Sequence, residues 1–196
     1  MVLKYVPKED VNNYPLIEFN GNIHLIDNEK ELLSHIDYIL RHDVIGFDTE
    51  TKPSFTKGVI HSISLLQLSV KDDVFLLRLD KIGLHKKIIK ILTNPDIIKV
   101  GIDVKNDLLA LKKIHTFQES GFIDLNILAT NKGFKSIGAV KLSIMLLGFR
   151  ISKKQRLSDW SANKLTHAQM NYAAIDAWIC PKILESFSDN SLFLKI

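Results

Sequence analysis

Three strand-like runs stand close together in the first half of the chain, at residues 44–50, 62–69 and 74–79, and only Lys71-Asp72-Asp73 separates the last two. A turn that short joins neighbouring antiparallel strands, so the pair reads as a hairpin. Around it lie segments with the 3.6-residue apolar period of helices. Asn28-Glu29-Lys30-Glu31 reads as a capping box opening a helix whose Leu32, Leu33, Ile36, Ile39 and Leu40 share one face. Further helices are expected at 83–92, stopped by Asn94-Pro95, and at 105–115, 125–130 and 136–147. A last long helix starts from the capping box Thr166-His167-Ala168-Gln169. Pro181 lies deep inside that helix and should kink it. Short extended pieces are expected at 16–19, 22–26, 97–102 and 122–124. A hairpin beside βα units implies a mixed sheet with helices packed on its faces, an α/β fold.

The strand at 44–50 ends unusually. Val44-Ile45-Gly46-Phe47 is apolar, as a buried strand should be, yet it runs into Asp48-Thr49-Glu50. Alternation puts Asp48 and Glu50 on one face, about 7 Å apart along the chain at most. Two like charges that close need a positive charge between them or a solvated strand end. A divalent cation is the usual positive charge. Tyr172 and Asp176 lie four apart on the last helix and share a face, among the small residues Ala173, Ala174 and Ala177. Asp107 falls in the first turn of a helix after a buried strand, where the helix N-terminus favours an acid whatever its role. Asp103, nearer the strand-to-helix turn, reads as the N-cap.

Together these motifs resemble the tyrosine branch of the DEDD superfamily of 3′–5′ exonucleases. The resemblance rests on Asp48-Thr49-Glu50, on Asp107 in a Gly-x-x-x-x-x-Asp-Leu-x-x-Leu setting, and on Tyr172-x-x-x-Asp176. Flanking text agrees: Leu65-Leu66-Gln67-Leu68, then Ser158-Asp159-Trp160 and Leu165-Thr166-x-x-Gln169. It covers about residues 26–187 and is closest in character to ribonuclease D and the Werner-syndrome exonuclease domain.

The resemblance implies a ribonuclease-H-like mixed five-stranded sheet flanked by helices on both faces, with residues 1–196 forming a single exonuclease domain. It implies Asp48, Glu50, Asp107 and Asp176 as ligands of two divalent cations, Mg²⁺ or Mn²⁺. Asp48 would bridge the two, Glu50 and Asp176 would complete the first shell, and Asp107 would hold the second ion, partly through water. Tyr172 would orient the attacking water, since a phenol with a pKa near 10 is a poor base at pH 7. The activity implied is hydrolysis from the 3′ end of DNA or RNA with release of nucleoside 5′-monophosphates. The competing reading is a catalytically silent nucleic-acid-binding domain on the same fold. Relatives of that kind lose one or more acids, and this chain keeps them all. An endonuclease of the ribonuclease H type is disfavoured by Tyr172-x-x-x-Asp176.

Charge fits a nucleic-acid partner without requiring one: 26 basic against 22 acidic side chains give +4, with the lysines in small clusters. Lys153, Lys154 and Arg156, on the approach to the third motif, are the expected phosphate contacts. Lys57, Lys52 and His61 would line the other side of the groove, and Phe55 is the expected base-stacking residue. Trp160 reads as a core anchor. The lone Cys180 cannot form an internal disulfide and reads as a buried thiol. Residues 1–9 lack a signal-peptide pattern, and the richest apolar stretch, 137–149, is too short to span a membrane, so the expected location is cytoplasmic. The helical domains that accompany ribonuclease D and the helicase of the Werner enzyme do not fit into 196 residues. Substrate choice is therefore expected to rest on this domain or a partner.

Overall fold

A computed structural model describes residues 3–189. Its centre is one mixed sheet built from β1 (Asn22–Ile26), β2 (Val44–Thr51), β3 (Ile63–Val70), β4 (Asp73–Arg78), β5 (Ile98–Gly101) and β6 (Phe122–Asp124), in the order β1-β4-β3-β2-β5-β6. β3 pairs antiparallel with both β4 and β2, and the remaining pairs are parallel. The sheet therefore has six strands rather than five. The extra edge is the three-residue β6, whose Phe122, Ile123 and Asp124 pair with Lys99, Val100 and Gly101.

The hairpin turns at Lys71-Asp72, with Lys71 in the left-handed region and Val70 opposite Asp73. β3 is buried along its whole length, because helices cover both faces of the sheet. On one side α1 (Glu29–Ile39), α3 (Lys86–Thr93) and α4 (Val104–Ile114) pack Leu32, Ile36, Ile88 and Leu111 against Ile45, Phe47, Leu66 and Leu68. On the other, α5 (Leu125–Asn131), α6 (Ala139–Leu147) and α7 (His167–Asp189) meet Leu65, Leu76 and Val100.

The expected caps hold. Asn28 accepts from the Glu31 N–H at 3.0 Å. Thr166 and Gln169 form a reciprocal box, with the Gln169 N–H on Thr166 Oγ1 and the Thr166 N–H on Gln169 Oε1. α7 runs on through Pro181, and the Ala177 carbonyl that proline leaves without its helical N–H accepts from the Ser69 hydroxyl at 3.0 Å.

Elsewhere the elements differ from the periodic reading. The segment at 16–19 makes only an isolated bridge, Leu16 to Arg150, and a 3₁₀ turn at Glu9–Asn13 precedes it. The helix expected at 83–92 is α3, starting three residues later, and a separate short helix that was not expected, α2 (Leu79–Ile82), precedes it and ends at Gly83, φ +64°. Lys141, which interrupts the apolar run of α6, is half-buried and donates to the Val6 carbonyl, tying the N-terminal segment down. Among the described residues no helix is long and apolar enough to cross a membrane.

Candidate active site

β2 carries the two functions of its sequence on opposite faces. Ile45 and Phe47 point into the core beneath α1, α3 and α4. Gly46, Asp48 and Glu50 point toward α7. α7 comes close there because Gly46 has no side chain: a Cβ would collide with the Ala177 carbonyl oxygen, Ser69 Oγ and the Pro181 ring. That contact brings Asp176, the neighbour of Ala177, over Asp48 and Glu50. One carboxylate oxygen from each of Asp48, Glu50 and Asp176 lies within 4.8 Å of the other two. These three acids, Tyr172, Cys180, Asp103, Gly138, Ser152, Lys153 and Arg156 line one cleft of about 320 Å³.

Like charges gathered away from water raise one another's pKa. Burial first, then Asp176, Asp107 and Glu50, pushes Asp48 well above the carboxylate range, against a backbone hydrogen bond from Thr49. Glu50 is pushed up to about 9 by burial and by Asp176 and Asp107. Asp176 rises to about 7 through burial, opposed by a hydrogen bond from Tyr172 and by the charge of Lys153. Burial and the surrounding carboxylates also raise the Tyr172 phenol, so it stays protonated. Burial, then Asp48, Asp176 and Asp124, raises Cys180, whose thiol donates to the Asp176 carbonyl at 3.2 Å.

This donor set fits a hard divalent cation. Such ions take oxygen ligands and tolerate a few carboxylates completed by water, and an octahedral shell at ~2.1 Å places opposite ligands about 4.2 Å apart. Three crowded, largely buried acids with pKa values this far up are also the arrangement that a cation would relieve.

Asp107 is placed differently. Thr49, alternating to the other face of β2, donates its hydroxyl to Asp107 Oδ1 at 2.5 Å, so the acid sits outside the three-carboxylate group. Burial lifts it to about 6, the Thr49 bond opposing and Asp103 and Asp124 adding to the rise. Asp103 occupies the N-cap position at φ +60° but makes no capping bond. Its carboxylate accepts from Asn126 at 2.8 Å, and Asp124 accepts from the Val104 N–H instead.

Of the expected nucleic-acid contacts, Lys153 and Arg156 line the cleft. Lys154, Phe55 and Lys57 are exposed but are not among its lining residues, and Phe55 is 85% exposed. Lys52 pairs with Asp159 at 2.9 Å, linking the loop after β2 to the loop before α7. Trp160 is fully buried and packs on Tyr172, as a core anchor does. Sequence reasoning missed Thr49 as the partner of Asp107 and Gly138 at the start of α6. Only the alternation of Asp48-Thr49-Glu50 hinted at the first, and nothing local marked the second.

Comparisons with known proteins agree with this fold. Residues 23–190 match the family model described as 3′-5′ exonuclease. The chain belongs to that family. Among similar proteins, ribonuclease D of Gluconacetobacter diazotrophicus is 28% identical over 78% of this chain and 39% of its own length. The mut-7 exonuclease homologue of Aedes aegypti is 24% identical over 90% of this chain and 28% of its own length. The chain thus spans well under half of these relatives. The crystal structure of Escherichia coli RNase D, an exoribonuclease involved in structured RNA processing, superposes with a TM-score of 0.77 at 26% identity, covering 88% of this chain and 47% of that one.

Proposed function

We propose that the whole chain is one exonuclease domain that removes nucleotides from the 3′ end of a nucleic acid and releases nucleoside 5′-monophosphates, using two divalent cations. The observation that carries this reading is the convergence of Asp48, Glu50 and Asp176 in one cleft rimmed by Lys153 and Arg156. Bound at such a site, two Mg²⁺ or Mn²⁺ ions stabilise the attacking and leaving oxygens of an in-line phosphoryl displacement. Asp48, Glu50 and Asp176 would hold the first ion, and Asp48 would also be a ligand of the second. Asp107, released from Thr49, would supply a ligand to the second ion, partly through water.

The remaining residues bind and orient. Tyr172 keeps its proton, so its hydroxyl positions the attacking water rather than deprotonating it. Lys153 and Arg156 grip phosphates of the incoming strand, with Lys154 and Lys57 extending the basic track and Phe55 stacking on a base. The complete acid set favours an active enzyme over a silent binding domain. Relatives are named as ribonucleases and as an exonuclease–helicase, and one solved ribonuclease D of Trypanosoma brucei, similar in fold, is a complex with RNA U12. Both RNA and DNA therefore belong in the test. Strands of each, labelled at the 5′ end, should shorten into a ladder from the 3′ end in Mg²⁺ or Mn²⁺ and stay intact in EDTA. Intact strands of both sugars in the presence of bound cation would instead support the silent binding domain.

A further inference from the structure

β3 is buried on both faces, yet it turns two polar side chains toward α7, Gln67 and Ser69. Ser69 is matched by the Ala177 carbonyl. Gln67 is not: it is completely buried, and neither its amide nitrogen nor its oxygen has a hydrogen-bond partner among the described residues. Folded proteins rarely leave a buried amide unpaired at both ends, and an apolar side chain of the same shape would pack there without the penalty. Leucines flank it at Leu65, Leu66 and Leu68, so the strand itself has no need of an amide.

Register shows where the amide points. Gln67 lies directly opposite Asp48 on the adjacent strand. Residues so paired project from the same face with Cβ atoms about 4.5–5.5 Å apart, a gap that a glutamine amide and an aspartate carboxylate turned toward one another can bridge. Asp48 accepts the Thr49 backbone N–H, and among the described residues no side chain donates to it. An unused donor thus stands beside an acid with acceptor capacity to spare.

We propose that Gln67 is a positioning residue for Asp48, its amide N–H holding the Asp48 carboxylate in one orientation when a divalent cation occupies the three-acid group. This rests on the cation reading above and assigns the outer partner of its central ligand. Outer partners of this kind fix the orientation of a ligand, and their loss typically weakens metal binding 10–100-fold.

Gln67→Met keeps the length and approximate volume of the side chain and removes its hydrogen bonds. In a Mn²⁺ titration read by the spin-resonance signal of the free ion, the variant should bind about 10–100-fold more weakly than the unmodified chain. Its thermal midpoint in EDTA should be unchanged or higher, since an unpaired buried amide has been removed. Equal Mn²⁺ affinity in the two proteins, or weaker affinity with a lower midpoint in EDTA, overturns the assignment. No Mn²⁺ binding by the unmodified chain is a separate result that removes the cation reading and this inference together. Should the variant not fold, the Gln67 side-chain amide resonances of the unmodified, ¹⁵N-labelled chain decide the matter. They should shift and saturate along with Mg²⁺ binding, and resonances that stay in place through saturation overturn the proposal.

Discussion

The Ser69 hydroxyl donates to the Ala177 carbonyl at 3.0 Å, satisfying the acceptor that Pro181 leaves open four residues further along α7. This bond, with Gly46 beneath it, fixes the helix carrying Asp176 against the strand carrying Asp48. Ser69→Ala strands that carbonyl and should cost about 1–3 kcal/mol. Gly46→Ala inserts a Cβ against Ala177 and Pro181, and overpacking of that kind should cost about 1–3 kcal/mol or more. Both should lower nuclease activity by more than the fraction unfolded explains, because they part Asp176 from Asp48. Urea unfolding alongside activity under native conditions checks this.

Removing one acid should separate stability from activity. Asp48→Asn removes from a crowded group an acid that is costly to ionise in the folded state, so the variant should melt higher than the unmodified protein at pH 8 in EDTA. Its activity in Mg²⁺ should fall by ~10²–10³-fold or more, the scale of losing one preorganised electrostatic group. Paired melting curves and rate measurements test both halves.

The raised carboxylates set a pH window. Glu50, Asp176 and Asp107 titrate at about 9, 7 and 6 in the folded chain, against about 4 when unfolded. Between these values the folded state binds more protons than the unfolded one, so the cation-free protein loses stability as pH rises from about 4 to 9. Divalent cations displace those protons and remove the loss. The rise in melting temperature on adding Mg²⁺ should therefore be larger at pH 8 than at pH 5.

Tyr172→Phe should lower kcat about 10–100-fold with little change in KM, since it removes orientation of the water rather than substrate binding. The phenol stays protonated, so the unmodified enzyme should show no alkaline limb below pH 10 arising from Tyr172. A pH–rate profile of both proteins tests this.

Lys153→Ala and Arg156→Ala should each weaken strand binding and reduce the slope of log affinity against log salt by roughly 0.7–1. A salt titration with slopes equal to the unmodified protein would sink their role as phosphate contacts.

Much of this was legible in the sequence because it is local. Strand period alone put Asp48 and Glu50 on one face, helix period put Tyr172 and Asp176 on another, and both caps followed from residue type. What was not legible depends on how elements meet. Asp107 pairs with Thr49 because α4 crosses the opposite face of the sheet from α7, a relation no spacing encodes. Asp103 takes a left-handed backbone and gives up its cap to Asp124, twenty residues on from the Val104 N–H that it holds. The extended piece at 122–124 was expected, but three residues are too few for alternation to show that it joins the sheet as an edge strand beside β5. Gln67 entered only as part of the flanking Leu65-Leu66-Gln67-Leu68; that it faces Asp48 and that its amide is unpaired depend on strand pairing and burial.

The most direct test incubates linear and circular forms of the same single strand, in RNA and in DNA, with the protein and Mg²⁺, and identifies the products chromatographically. The account predicts that the linear form of at least one sugar is consumed from its 3′ end into nucleoside 5′-monophosphates while the circle remains intact. Cleavage of the circle, or products carrying 3′-phosphates, would contradict it.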